Sequence, residues 1–98
     1  MSVYVIVQGK VEDRELLDQY VAKAGPTIKS HQGRTIAFDE QPEEVEGKME
    51  CPRTVIVEFP SMAAFRAWYD SPEYQAALPL RLKATRGTLI VAKGFPPS

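Results

Sequence analysis

Cysteine, histidine and tryptophan occur once each in these 98 residues. A lone thiol, Cys51, excludes an internal disulfide and fits a reducing cytoplasm. It stands in an acidic loop before Pro52, so it reads as an inert surface thiol. One cysteine and one histidine are too few for a zinc site, and no carboxylates stand at ligand spacing, so no metal is expected. No apolar run approaches the roughly twenty residues that cross a bilayer. A strand pattern begins straight after Met1-Ser2 with no basic region before it, so no signal peptide is expected and cytoplasmic residence is. Charge of one sign is lacking too. Twelve Lys and Arg against thirteen Asp and Glu leave −1, too little to draw nucleic acid or an anionic membrane. Gly25, Gly33, Gly47 and Gly87 stand alone, which excludes a phosphate-cradling loop. No nucleophile elbow surrounds Ser30, Ser61 or Ser71.

What is present fills one domain, 1–98, with a short tail at 95–98. Val3 to Gln8 is a β-rich run closed by Gly9. Asp13 caps a helix whose apolar stripe is Leu17, Val21, Ala24 and Ile28. Gly25-Pro26 predicts a kink or break in it, because proline lacks the N–H and clashes with the preceding turn. His31-Gln32-Gly33 is the helix exit, and Arg34 to Phe38 the second strand. An acidic segment follows at 39–52, with six carboxylates against Lys48; Val45 could mark a short edge ribbon within it. The segment is either a solvated loop or an arm meeting the bases Arg81, Lys83 and Arg86 of a partner subunit. Arg53 to Phe59 is the third strand. Ser61 caps a helix with Met62, Phe65, Trp68 and Tyr69 inward, and Ser71-Pro72-Glu73 opens another that Pro79 bends or ends. Gly87 introduces a fourth strand, Thr88 to Ala92. The order β-α-β-β-α-β makes the fold α+β, a doubled β-α-β unit.

Side chains alternate across a sheet, so each strand divides into two sets. One set is aliphatic and aromatic: Val3, Val5 and Val7 with Ile36, Phe38, Val55, Val57, Phe59, Leu89 and Val91. That face is the core beneath the helices. On the other face Ile6, Ile56 and Ile90 sit among Tyr4, Gln8, Glu58, alanines and threonines, with Thr35 and Ala37 from the second strand. A water-covered face would carry polar residues there. Apolar residues on it imply a partner or ligand, and a self-complementary pair of identical sheets meets that need most simply.

The run Trp68-Tyr69-Asp70-Ser71-Pro72-Glu73-Tyr74, with Gly33-Arg34 more weakly, closely resembles the domain of unknown function 1330 family across Val3 to Gly94. The resemblance implies a ferredoxin-like antiparallel sheet of strand order 4-1-3-2, pairing as a dimeric α/β barrel. It also implies at a distance a kinship with barrels that include cofactor-free monooxygenases and isomerases. The chain departs from the family in its acidic loop. It also has His31-Gln32 where relatives more often carry a second glycine before Gly33.

The implied topology brings Tyr4, Glu58, His31 and Arg34 to one edge of the mixed face. Glu58 would serve as base with Tyr4 or His31 as its partner, and Arg34 would hold substrate charge. Gln8, Ile6, Ile56, Ile90 and Trp68 are the candidate contacts to a small, partly apolar organic substrate. Each has a plainer reading. Glu58 can bridge to Arg53 or to a partner's base, His31 can satisfy the helix end, Tyr4 can pack, and Trp68 can be core. Two functions follow. One is a homodimer with a sheet-face pocket for cofactor-free proton-transfer or oxygenase-type chemistry; the other is a non-enzymatic interaction or ligand-binding module. No cofactor, nucleic acid or membrane enters either.

Overall fold

The computed structural model describes residues 1–96; residues 97 and 98 of the expected tail lie outside them, and Phe95 is almost fully exposed. The elements run β1 (Val3–Val11), α1 (Arg14–Ser30), β2 (Arg34–Asp39), β3 (Arg53–Phe59), α2 (Met62–Tyr69), α3 (Pro72–Ala84) and β4 (Thr85–Lys93). They build one antiparallel sheet in the order β2-β3-β1-β4. This is the 4-1-3-2 order of a ferredoxin-like α+β fold.

Capping follows the sequence. The carboxylate of Asp13 accepts from Leu16 N at 3.1 Å, Ser61 Oγ from Ala64 N at 3.0 Å, and Ser71 Oγ from Tyr74 N at 3.2 Å. Each bond satisfies a backbone donor that the first helical turn leaves without a partner. At the far end of α1, Gln32 N donates to Lys29 O and Gly33 N to Ile28 O at 2.8 Å, a Schellman closure. That closure places Gln32 at φ 69°, a left-handed geometry that suits glycine and costs other residues about 1 kcal/mol. Gly33 is required by space, since a Cβ there would lie 2.6 Å from Ile28 Cγ2 and 2.8 Å from the Phe59 ring.

Several boundaries differ from the sequence reading. Neither Pro26 nor Pro79 ends its helix. Both are exposed, as are Ala22 and Gln75 four residues earlier, so the carbonyls that lose a donor can bond to water. β1 extends past Gly9 to Val11, and β4 starts at Thr85 with no loop after α3. Gly9 and Gly87 pair across these two strands, and at φ 153° a Cβ on Gly87 would strike the Gln8 carbonyl. Val45 belongs to no strand and is exposed.

The core lies between the helices and one sheet face. Val3, Val5, Val57 and Phe59 meet Ala24 of α1 and the aromatic cluster Phe65, Trp68 and Tyr74. Trp68 and Tyr74 have ring centroids 4.1 Å apart, and Phe59 lies 5.3 Å from Trp68. Such pairs contribute about 0.5–1.5 kcal/mol each beyond their burial.

β2 corrects the two-face reading. A bulge falls between Thr35 and Ala37, so Thr35 opposes Val57 while Ala37 opposes Ile56. Thr35 therefore joins the core face, and Ile36, assigned to the core by simple alternation, is 46% exposed. Phe38 keeps the core side but remains 55% exposed.

Candidate functional site

Two neighbourhoods, on opposite faces of the sheet, bring polar groups together beside apolar surface. The first is the edge of the mixed face. Tyr4 and Arg34 each stand directly opposite Glu58, from β1 and β2. Arg34 Nη2 donates to Glu58 Oε1 at 2.7 Å and Tyr4 Oη to Oε2 at 3.3 Å. The Arg34 guanidinium, seconded by Ser2 and Tyr4, holds the Glu58 carboxyl below the usual carboxylate range. Glu58 is thus an ionised acceptor already paired within its own chain. Its partner is Arg34 and not Arg53, whose odd position puts it on the other face.

His31 does not join this group. Its Nδ1 lies 2.8 Å from Thr27 O, to which it donates, and its Nε2 faces Glu73 at 3.8 Å. Gln32, turned by the Schellman closure, borders the hollow beside Glu58 instead, together with Ser2 and Pro60. Trp68 is also absent from this face. It is buried on the helix side, where Nε1 donates to Thr27 Oγ1 at 3.0 Å.

The centre of the mixed face is an apolar row. Ile6 opposes Ile56 on one side and Ile90 on the other, and Ala37 extends the row onto β2. Gln8 stands one step further along, between Thr54 and Thr88, with its amide 3.5 Å from Thr54 Oγ1. Among the described residues no helix or further strand packs over the row, and Ile90 is 53% exposed.

The second neighbourhood is a cleft of about 130 Å³ on the core side, between α1 and the sheet. Its floor includes Val55 and Val57, its helical wall Ala24 and Ile28, and its lips the exposed Val21 and Phe38. Three ionisable groups line it: Tyr20, Arg53 and Arg81. Both arginines are over nine-tenths buried. Arg53 stacks on the Phe38 ring at 5.1 Å and pairs with Glu40 at 3.3 Å, and Arg14 holds the same carboxylate at 3.0 Å. Arg81 makes no ion pair among the described residues, and its Nε is buried without a hydrogen-bond partner. Tyr20 Oη shares a hydrogen bond with Tyr74 Oη at 3.0 Å. Burial first, then Tyr74, raises the Tyr20 phenol well above its ordinary range, so it stays protonated.

This cleft was not read as a site from the sequence, although its signals were present. Tyr74, Ala77, Arg81 and Ala84 recur at helical spacing and form the buried face of α3. Arg53 shares the parity of Val55 and Val57. The surface cluster expected of Arg81, Lys83 and Arg86 does not form, because Arg81 is buried and Arg86 pairs with Glu12 at 3.4 Å. Among the described residues no group of three or more His, Cys, Asp or Glu could hold a metal ion, and no helix is long and apolar enough to cross a membrane.

Solved structures with the same architecture place the fold. The RPA0582 protein of Rhodopseudomonas palustris, of unknown function, is 20% identical with a TM-score of 0.81, over 98% of this chain and 84% of that one. A dimeric ferredoxin-like protein of unknown function from Jannaschia sp. CCS1 is 17% identical with a TM-score of 0.68, over 96% and 100%. SnoaB, a cofactor-independent oxygenase from Streptomyces nogalater, is 11% identical with a TM-score of 0.65, over 98% of each chain. At these identities the likeness is one of fold alone. No curated protein matches the sequence. The family described as Domain of unknown function (DUF1330) matches residues 2–95, and the chain belongs to it.

Proposed function

We propose that this protein is a cytoplasmic homodimer that binds a small organic molecule, with its two faces doing different work. The mixed face packs on the same face of a second copy, a reading that the isoleucine row supports. Two proteins of this fold are described as dimeric, which supports a homodimer. On this reading the ligand occupies the cleft between α1 and the sheet, and the sheet-face pocket expected from the sequence is the alternative. The observation that carries this reading is the cleft itself, a concave and largely apolar space that a single chain already forms, with Tyr20, Arg53 and Arg81 in its lining.

The groups around the cleft bear on its chemistry. Glu58 lies on the opposite face of the sheet, so a molecule in the cleft cannot reach it. Two guanidiniums and a protonated phenol stabilise an anion but do not abstract a proton. This favours a binding protein, or an enzyme that stabilises a substrate anion without a side-chain base. SnoaB, a cofactor-independent oxygenase with the same fold, is an instance of an enzyme on this architecture. Trp68 is the only tryptophan and lines the cleft, so its fluorescence reports occupancy. Small aromatic ligands should change Trp68 emission saturably, and Val21→Phe, which narrows the entrance, should weaken that response. A response indifferent to Val21→Phe would place the ligand elsewhere.

A second reading keeps chemistry at the sheet edge, with Glu58 as base, Tyr4 as its partner and Arg34 holding substrate charge. The line of three groups across β1, β3 and β2 supports it. On that reading Glu58→Gln abolishes turnover of a ligand while leaving the dimer intact.

A further inference from the structure

The pairing of charges around the cleft is unbalanced. Glu40 is the carboxylate bound to Arg53, and it is shared with Arg14. Arg81 has neither a carboxylate nor a partner for Nε, although 92% of the residue's surface is removed from water and it lines the same cleft. A buried guanidinium N–H left without an acceptor is costly to a folded chain, and an anion is a natural match for it. No side chain of the described residues supplies one.

Building on the reading of the cleft as a binding site, we infer that its ligand is a small monocarboxylate with an apolar body, held by Arg81. The guanidinium is a planar fork that matches a carboxylate in two parallel hydrogen bonds. The body lies on Val55, Val57 and Ile28, in a space close to what one aromatic ring or a short branched chain fills. Tyr20, protonated and already engaged with Tyr74, adds no competing negative charge. An extended dicarboxylate fits poorly, since the second charge would rest on the apolar floor.

The test is titration of the full chain with benzoate, benzamide, toluene and inorganic phosphate, followed by Trp68 fluorescence and calorimetry. Benzoate should bind about tenfold to a hundredfold more tightly than benzamide or toluene, the ratio expected of a hydrogen-bonded charge. Phosphate, lacking the body, should not compete. In Arg81→Met the preference for benzoate should vanish, and in Arg81→Lys it should persist in part. The Met variant should also resist urea at least as well as the parent, because it removes an unpaired charge while keeping the volume. Equal binding of benzoate and benzamide by the parent protein would overturn the carboxylate while leaving the cleft as a site. Failure of every probe to bind would overturn the cleft and the inference together. An Arg81→Met chain markedly weaker to urea would assign Arg81 to structure and overturn the inference alone.

Discussion

Thr27 has one hydroxyl and two partners. It donates to Ala24 O at 2.6 Å and accepts from Trp68 Nε1 at 3.0 Å, both in buried surroundings. Among the described residues the second bond is the one the indole N–H makes, so replacing Thr27 with the isosteric valine strands a buried donor. Thr27→Val should therefore cost about 1–3 kcal/mol in urea unfolding, the penalty for an orphaned buried group. A cost near zero would mean that the indole N–H finds water. None of this was legible beforehand, because Thr27 reads as one more polar position near a helix end and Trp68 as a candidate ligand contact. The spacing that put Trp68 inward was visible; what it meets there, Thr27 of α1, was set by the packing of the helices.

At the level of elements, the acidic segment after β2 shows how a loop is tied down without regular structure. Glu40 accepts two bonds from Arg14, at 3.0 and 3.1 Å, and one from Arg53 at 3.3 Å, joining α1, the loop and β3. Arg14, with Arg53 behind it, keeps the Glu40 carboxyl below its ordinary value. A carboxylate whose folded value is depressed contributes stability above its unfolded value, near 4.3, and loses it as pH falls through the folded one. The urea midpoint should therefore decline below about pH 4.5. Glu40→Gln should flatten part of that decline, with Glu58 supplying a further part by the same sign. A profile unchanged by Glu40→Gln would show that the contact contributes nothing in solution, as many exposed pairs do. Element type was readable throughout from periodicity and caps, whereas the ends were not. Pro26 and Pro79 look like terminators until their exposure is known, and the bulge in β2 leaves no mark in an alternating pattern.

For the whole molecule the decisive feature is that the sheet has a helix-covered face and a face that no element of the described residues covers. The isoleucine row across β3, β1 and β4 is the surface proposed to pair with a second copy. Ile90 is 53% exposed in the single chain, so a charge there does little to the fold of one subunit. In a face-to-face dimer the same charge is buried against its own copy. Ile90→Glu should thus convert a dimer to a folded monomer in sedimentation equilibrium, with an unchanged far-ultraviolet spectrum. If the variant sediments like the parent, the face is not the interface.

The sequence by itself determined the element types, the caps, the α+β class and the presence of a second apolar face. All of these depend on spacing along the chain. It also carried enough of a family signature to imply the strand order. Only the tertiary structure decided which polar groups meet. It joined Arg34 to Glu58 across 24 positions, sent His31 to the helix side, and buried Arg81 beside an apolar cleft without a counterion. Periodicity assigns a residue to a face, but its partner is set by how the layers pack, and the chemistry of the site depends on those partners.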